Sequence, residues 1–120
     1  MRYKMLKIDL TNRTSQELDL GEENLGMYMG GRGLGARLLW DEMKGGVEPL
    51  GPDNKVFFSV GPFQGTNTFF SSKCILTTKS PLTGIYLYTA GGGTFGINLA
   101  RSGYMALAIE GASEDPVYVH

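Results

Sequence analysis

The spacing of apolar residues divides the chain into short strands and helices, beginning with a hairpin. Leu6, Ile8 and Leu10 alternate with polar residues, and this period of two predicts a half-buried strand. Turn-forming residues follow, and a second strand through Leu18 and Leu20 is expected to pair with the first. The chain is therefore predicted to open with two antiparallel strands.

Two helical segments are predicted after the hairpin. From Glu22 the apolar residues follow the spacing of a helix, and Gly30-Gly31 is expected to end it. A second helix is predicted from about residue 34 to residue 43, with Gly45-Gly46 closing it. The glycines between the two helices therefore mark an elbow.

The second half of the chain is dominated by strands. Strands are predicted over residues 55–60, 72–78, 85–89 and 104–109, with a last one beginning at 117–119, a surface loop at 63–70 and a short helix at 95–102. Because strands outnumber helices, the predicted fold class is α+β, a mixed or antiparallel β-sheet with a few short helices. No linker or repeat divides the 120 residues, which are expected to form one domain.

The composition limits the partners that the domain is expected to bind. Eleven basic and 12 acidic residues give a net charge of −1, which offers little to a nucleic acid backbone, so no nucleic acid partner is predicted. No apolar run is long enough to span a bilayer, and the charged N-terminus does not resemble a signal peptide. We therefore expect a cytoplasmic protein without a membrane partner.

Glycine is over-represented, and one cluster follows a predicted strand directly. In the segment Gly91–Gly96, residues without a Cβ atom would let the backbone approach a bulky ligand closely. The spacing Gly91-x-Gly93-x-x-Gly96 also fits the dinucleotide-binding fingerprint, with Glu110 at the end of the next strand as its ribose-binding carboxylate. A tight strand-to-helix corner that requires positive φ is the alternative interpretation, and the residues alone leave both open.

A second glycine cluster and one lysine are weaker candidates for contact with an anion. Gly31–Ala36 fits G-x-G-x-x-A, but a helical pattern precedes it, which favours a helix–helix elbow. Arg32, between two glycines, could still offer a charged fork to a phosphate. Lys73 could present a cation beside two serines, although a solvated strand start is the simpler interpretation.

Hydrolytic chemistry is not predicted from this set of residues. Cys74, the only cysteine, lies in an apolar strand and is expected to be a small core residue rather than a nucleophile. His120, the only histidine, is the last residue of the sequence and makes a poor base. No disulfide or multi-cysteine metal site can form within these residues, and we assign no catalytic or metal-binding residue.

Several short blocks, in the same order, resemble the N-terminal domain of the aldehyde ferredoxin oxidoreductase family. The blocks are Leu25–Glu42 with its Gly-Gly-Arg-Gly-Leu-Gly-Ala core, Val47–Lys55, Gly61-Pro62, Lys79–Gly84, and Gly103-Tyr104 leading to Glu110-Gly111. The similarity extends from about residue 4 to residue 119, nearly the whole chain. Because several ordered blocks match, the resemblance is more specific than either glycine motif.

The resemblance implies a domain that cradles a tungsten, or sometimes molybdenum, bis-pterin cofactor. In that family the metal is held by sulfurs of the cofactor. Lys73 corresponds to a basic residue, commonly arginine, between the pterin and an iron–sulfur cluster, and lysine lacks the planar fork. Ala90 falls where some members place an asparagine near a phosphate-bridging magnesium, and Gly92 and Gly93 match backbone contacts to the pterin. The predicted cofactor-binding set is Arg32, Lys73, Ala90, Gly91, Gly92 and Gly93.

The resemblance also implies a function and partners. The family oxidises aldehydes to carboxylic acids and passes the electrons through a 4Fe-4S cluster to ferredoxin. Residues 1–120 are expected to be the pterin-cradling N-terminal domain of a longer chain, inactive alone, with the cluster ligands in other regions. The expected partners are ferredoxin or another electron carrier and the remaining domains or subunits. A homo-oligomer is also possible, and the sequence leaves the oligomeric state open. The alternatives are a stand-alone, non-catalytic cofactor- or partner-binding domain, and an NAD-binding redox domain that uses Gly91–Gly96 and Glu110.

Overall fold

The computed structural model describes residues 3–120, within which the chain forms six strands and three helices. In chain order these are β1 (Lys4–Asp9), β2 (Thr14–Asp19), α1 (Glu22–Tyr28), α2 (Gly31–Glu42), β3 (Val56–Ser59), β4 (Cys74–Lys79), β5 (Tyr86–Gly91), α3 (Phe95–Arg101) and β6 (Tyr104–Glu110). Within the described residues, none of the helices is both long and apolar enough to cross a bilayer.

The six strands form one mixed sheet in the order β2-β1-β6-β3-β4-β5. β1 and β6 are parallel, and the other neighbouring strands are antiparallel. The predicted α+β class and the predicted β1–β2 hairpin are therefore confirmed. β2 and β5 are the edge strands, and the side chains of β5 are exposed on both faces.

Helices cover both faces of the sheet. Phe57 is fully buried on the face beneath α2, whereas the ring centroid of its neighbour Phe58 lies 5.3 Å from that of Phe95 in α3. Successive residues of a strand point to opposite faces, so α2 and α3 lie on opposite sides. The main core cluster comprises Met5, Leu20, Leu34, Leu38, Leu39, Phe57, Val60, Cys74, Met105, Ala106 and Ala108.

The structure differs from the sequence-based prediction at two element boundaries. The strand predicted at 117–119 is wrong, because the segment pairs with neither outer edge of the sheet, on β2 or on β5. The segment instead lines a cleft of about 380 Å³ beside Leu6 and Ile8. The predicted elbow is present, with φ of +127° at Gly30, but α2 begins at Gly31 rather than at residue 34. Glycine has a low propensity for a helix interior. Tertiary packing must therefore stabilise the helical conformation at the glycines of the first part of α2.

The two ends of the sheet contain different residues. At the end that we call the glycine end, β3 leads into Val60, β4 begins after Lys73 and β5 ends at Gly91. α2 also begins there, because the Gly31 N–H donates a 2.9 Å hydrogen bond to the Val60 carbonyl. At the opposite end, α2 ends at Glu42 and β4 turns into β5.

Candidate functional site

The glycine end brings the predicted cofactor-binding residues of β4 and β5 together. Cys74 pairs with Gly91 in the antiparallel β4–β5 ladder. Lys73 immediately precedes this pair on one strand, and Gly92 and Gly93 immediately follow it on the other. The pairing therefore places the lysine beside the glycine segment.

The first turn of α2 lies at the same end. Ile75 pairs with Ala90 in the β4–β5 ladder, and a Cβ atom built on Gly31 would lie 3.7 Å from Ile75 Cγ1. Gly31 is fixed further by Ser59, a fully buried side chain whose hydroxyl donates a 2.8 Å hydrogen bond to the Gly31 carbonyl. Arg32 therefore lies beside the strand that carries Ala90.

The glycine segment faces open space. A Cβ atom built on Gly91, Gly92 or Gly93 would meet no atom within 4 Å. Gly93 has φ of +98°, a backbone conformation that explains why glycine occurs at this position. The predicted corner with positive φ is therefore present at Gly93. At Gly91 and Gly92, neither the backbone conformation nor packing within the described residues explains why the residue is glycine. Their surface is available to a group from outside this chain.

The neighbouring segments hold the glycine end in place. A Cβ atom on Gly96 would lie 3.2 Å from Cys74 Cβ, so glycine at this position lets α3 pack closely on the start of β4. Gln64, which is buried, accepts a 2.8 Å hydrogen bond from the Gly61 N–H and donates one to the Lys73 carbonyl. Sequence reasoning missed Gln64, whose signal was a polar side chain two residues after the Gly61-Pro62 turn.

Two cations at the glycine end lack acidic partners. Arg32 Nη1 donates a 3.0 Å hydrogen bond to the Tyr88 hydroxyl, and its guanidinium carbon lies 4.9 Å from the centre of that ring. Lys73 is exposed. Among residues 3–120, neither Arg32 nor Lys73 forms an ion pair with a carboxylate. Tyr88 is a second residue that sequence reasoning missed, since alternation along a strand does not reveal a helix above it.

The opposite end carries a neutralised ion cluster of Lys7, Lys55, Glu42 and Glu110. Lys7 Nζ lies 2.8 Å from Glu42 and 3.2 Å from Glu110, and Lys55 Nζ lies 3.0 Å and 2.6 Å from the same two carboxylates. Burial alone would raise the pKa of Glu42, but hydrogen bonds from Lys7 and Lys55 outweigh burial and lower it. The four charges therefore compensate one another.

This cluster argues against the dinucleotide-binding hypothesis. In that hypothesis, Glu110 is the residue that binds the ribose. Glu110 lies at the end of β6, and β6 runs antiparallel to β5 within the sheet. The carboxylate therefore lies at the opposite end from Gly91, roughly 20 Å away for a strand of this length. The expected pairing of Glu110 with the glycine segment is wrong, because the fingerprint requires two parallel strands that end at the same edge.

The surroundings of Cys74 are those of a core residue. Cys74 is buried, its thiol donates to the Ser59 carbonyl at 3.6 Å, and burial raises its pKa, so the predicted core role is confirmed. Within residues 3–120, no three His, Cys, Asp or Glu side chains lie in a group suited to a metal ion.

The cleft at the glycine end is too small to enclose a large cofactor by itself. It measures about 220 Å³ and is lined by Phe58, Cys74, Leu76, Thr89, Ala90, Gly91, Gly92 and Phe95. Small-molecule sites usually measure about 300–1,000 Å³. A cleft of about 440 Å³ at the opposite end, between Trp40 and Tyr86, is mainly apolar. The glycine end therefore has the properties of one wall of a site: open backbone, two free cations and incomplete enclosure.

Comparison with known proteins gives a consistent set of relatives. The family described as "Aldehyde ferredoxin oxidoreductase, N-terminal domain" matches residues 5–120. The chain is 38% identical over 117 residues to the tungsten-containing aldehyde ferredoxin oxidoreductase of Pyrococcus abyssi and 37% identical to that of Thermococcus kodakarensis, covering 98% of this chain in both cases. It is also 33% identical to the WOR-like subunit of an aliphatic sulfonate oxidoreductase from Pyrococcus furiosus, over 97% of the chain.

A solved structure shares the fold. The active site complex BamBC of benzoyl coenzyme A reductase, determined with 1,5-dienoyl-CoA, contains a chain that matches with a TM-score of 0.93 and 31% identity over 98% of this chain. The match covers 19% of that chain, and this sequence likewise spans 19% of the length of the curated relatives above.

Proposed function

Because this chain belongs to the aldehyde ferredoxin oxidoreductase family, as its N-terminal domain, we propose that it forms one wall of a tungsten bis-pterin site in a longer oxidoreductase. The observation that carries the proposal is the open space above Gly91 and Gly92, where neither packing nor conformation requires glycine. A large cofactor that lies against bare backbone would require it.

The proposed wall divides into a backbone part and a charged part. Gly91, Gly92 and Gly93 would contact the cofactor through main-chain atoms, and Ala90 adds little side-chain bulk beside them. Lys73 and Arg32, which have no carboxylate partners within residues 3–120, would balance the negative charge of the cofactor phosphates. The metal itself would be held by cofactor sulfurs, which is compatible with the absence of a metal-ligand cluster in the described part of the chain. Molybdenum is the alternative metal.

When bound, the cofactor would supply the chemistry that oxidises an aldehyde to a carboxylic acid. Water would provide the added oxygen, and two electrons and two protons would be released. The aldehyde substrate, the 4Fe-4S cluster and the ferredoxin acceptor come from the family and belong to the whole enzyme. The names of the relatives include an aliphatic sulfonate oxidoreductase, so the named substrate class varies among proteins that share this domain. Other regions of the protein would provide the cluster ligands and the path of the electrons.

The surface beside the site supports enclosure by further protein. Phe69 and Phe70, close to Lys73 in sequence, expose 87% and 104% of their reference areas. Exposed apolar side chains grouped beside a proposed site indicate a contact surface. We propose that the remaining domains or subunits cover this loop and complete the cofactor site.

Substituting Gly92 by valine in the full-length protein tests the proposal. We expect tungsten and pterin content per polypeptide to fall about tenfold or more, since a branched side chain would occupy the space required by the cofactor. Gly45→Val is the matched control, because a Cβ atom there also meets nothing within 4 Å, but the residue follows α2 at the opposite end.

The two variants also separate a local effect from a general one. Equal loss of cofactor in both variants would indicate misfolding and contradict the assignment of the site. Full tungsten and pterin content in Gly92→Val would contradict the proposed function itself.

A further inference from the structure

The Arg32–Tyr88 contact differs from the other arginine contact on α2. Arg37 Nε lies 2.7 Å from Asp41 Oδ2, so its charge is compensated within the helix. Arg32 instead contacts the neutral side chain of Tyr88, through one hydrogen bond and the face of the ring, and also lies near Tyr86. Within residues 3–120, no carboxylate compensates the charge of Arg32 through an ion pair.

The contact fixes the direction of Arg32. Tyr88 and Ala90 are two residues apart on β5 and therefore point to the same face of the sheet, the face covered by α2. The α2 backbone at Arg32 is itself constrained, because a Cβ atom on Gly33 would lie 2.7 Å from the Tyr28 carbonyl oxygen. The guanidinium is thus held above β5, on the approach to the glycine segment.

The pair retains unused hydrogen-bonding capacity suited to an oxyanion. Arginine has five N–H donors in a planar fork, of which the Tyr88 hydroxyl accepts one. The hydroxyl accepts that bond with its oxygen, so its own O–H remains able to donate. A planar fork and a neighbouring hydroxyl donor match the geometry of a phosphate group.

We infer that Arg32 and Tyr88 bind a phosphate group at the glycine end, with Tyr88 acting as the positioning residue that orients the guanidinium. The inference rests on the proposed function, since the cofactor is the expected source of the phosphate. Free inorganic phosphate is the other source with the same chemistry. Tyr88 orients Arg32 as well as offering its own O–H, so its contribution should shrink when the arginine is absent.

The test uses the full-length, cofactor-loaded protein and follows cofactor release at increasing salt concentration. We expect Arg32→Gln to release pterin roughly tenfold faster and Tyr88→Phe roughly threefold to tenfold faster, as expected for loss of a charge-assisted hydrogen bond. Arg32→Lys, which keeps the charge and loses the fork, should fall between wild type and Arg32→Gln. Tyr86→Phe is the matched control, because its ring lies 6.2 Å from that of Tyr88 without a hydrogen bond to Arg32.

A double variant separates positioning from general stabilisation. Tyr88→Phe should have a smaller effect on release in the Arg32→Gln background than in the wild type, whereas a merely structural role of Tyr88 would add its full effect. Calorimetric titration of the same variants with inorganic phosphate identifies the source. A change in phosphate affinity without a change in pterin release would assign the pair to free phosphate.

The inference would be overturned if neither pterin release nor phosphate affinity changed in Arg32→Gln. If that happened while Gly92→Val still lost its cofactor, the proposed wall would stand without the phosphate-binding pair. Retention of cofactor in Gly92→Val would instead remove the proposed function, whatever the result for Arg32.

Discussion

Glycines are concentrated at residues 30–35 and 91–93, and the two clusters have opposite surroundings. In the first cluster, a Cβ atom on Gly30 would lie 2.5 Å from the Val60 carbonyl oxygen, and one on Gly35 would overlap Thr77 Oγ1. In the second, added Cβ atoms would meet nothing within 4 Å. The first cluster is therefore required by the fold, whereas two of the three glycines in the second are not. Gly26 and Gly45 also lie in open space without positive φ, so what distinguishes Gly91 and Gly92 is that they are adjacent, line a cleft and lie beside Lys73.

Charged residues show the same contrast between the ends of the sheet. At the opposite end, Lys7 and Lys55 are both paired with two carboxylates. At the glycine end, Arg32 and Lys73 form no ion pair within residues 3–120. The ion cluster at the opposite end is thus neutralised within the chain, whereas Arg32 and Lys73 present positive charge beside open backbone at the glycine end. This difference locates the proposed cofactor contact more sharply than either glycine motif.

Substituting Gly35 by alanine should give the largest loss of stability. Its new methyl group would overlap the hydroxyl of Thr77, a fully buried and rotamerically stiff side chain, and would lie 3.2 Å from Ser59 Oγ. Overpacking of this kind should lower the free energy of unfolding of the full-length protein by about 2–3 kcal/mol. Denaturant titration followed by far-UV circular dichroism measures the change.

The control for this substitution is Gly26→Ala in α1. A Cβ atom at Gly26 meets nothing within 4 Å, and alanine is the better helix former, so stability should stay constant or rise by up to about 1 kcal/mol. Equal destabilisation by both substitutions would contradict the claim that packing on Thr77 makes Gly35 necessary.

Most of the fold could be predicted from the local pattern of residues. Alternation around Leu6 and Ile8, the helical spacing after Glu22 and the glycine elbow all correspond to elements in the structure. The failure at 117–119 has a long-range cause: alternation shows that a segment can form a strand, but the rest of the fold decides whether the segment reaches a sheet edge. This segment lies beside Leu6 and Ile8 instead. The strand order, with β6 inserted between β1 and β3, is likewise invisible to local spacing.

The candidate site could be predicted only in part. The resemblance to a family located the Gly91–Gly93 segment and Lys73, which the structure places together at one end of the sheet. Spacing alone suggested Glu110 as a partner of Gly91, and that was wrong because the direction of each strand is a property of the whole sheet. Tyr88 and Gln64 were missed because their roles depend on contacts with residues distant in sequence, and local spacing does not predict such contacts.

Gly93→Ala should have a smaller effect than Gly35→Ala, for a different reason. The space around Gly93 is open, but φ of +98° is unfavourable for a residue with a Cβ atom. We expect a loss of roughly 1–2 kcal/mol in the free energy of unfolding. Gly91→Ala, at a neighbouring position with open space and without positive φ, should change stability by no more than about 0.5 kcal/mol. A loss at Gly91 as large as at Gly93 would mean that the whole segment is under conformational constraint.

Glu42→Gln should have an effect similar in size to that of Gly93→Ala at neutral pH, and a distinctive dependence on pH. The substitution leaves Lys7 and Lys55 with Glu110 alone, in a cluster whose side chains are about one-fifth exposed, and should cost about 1–2 kcal/mol at pH 7. The folded-state pKa of Glu42 is below its ordinary value, so its contribution is fully present above the unfolded-state pKa of about 4.3. The contribution is lost as the pH falls through the folded-state pKa.

The difference in unfolding free energy between wild type and Glu42→Gln should therefore be constant from pH 7 to about pH 5 and shrink below about pH 4. Asp41→Asn, one residue earlier on α2, is the control, because the Arg37–Asp41 pair is more exposed and should contribute only about 0.3–0.5 kcal/mol. Denaturant titrations across this pH range measure both differences. If the difference for Glu42→Gln did not change with pH, its cost would come from packing rather than charge, and the contrast between a neutralised end and a free cationic end would lose its electrostatic basis.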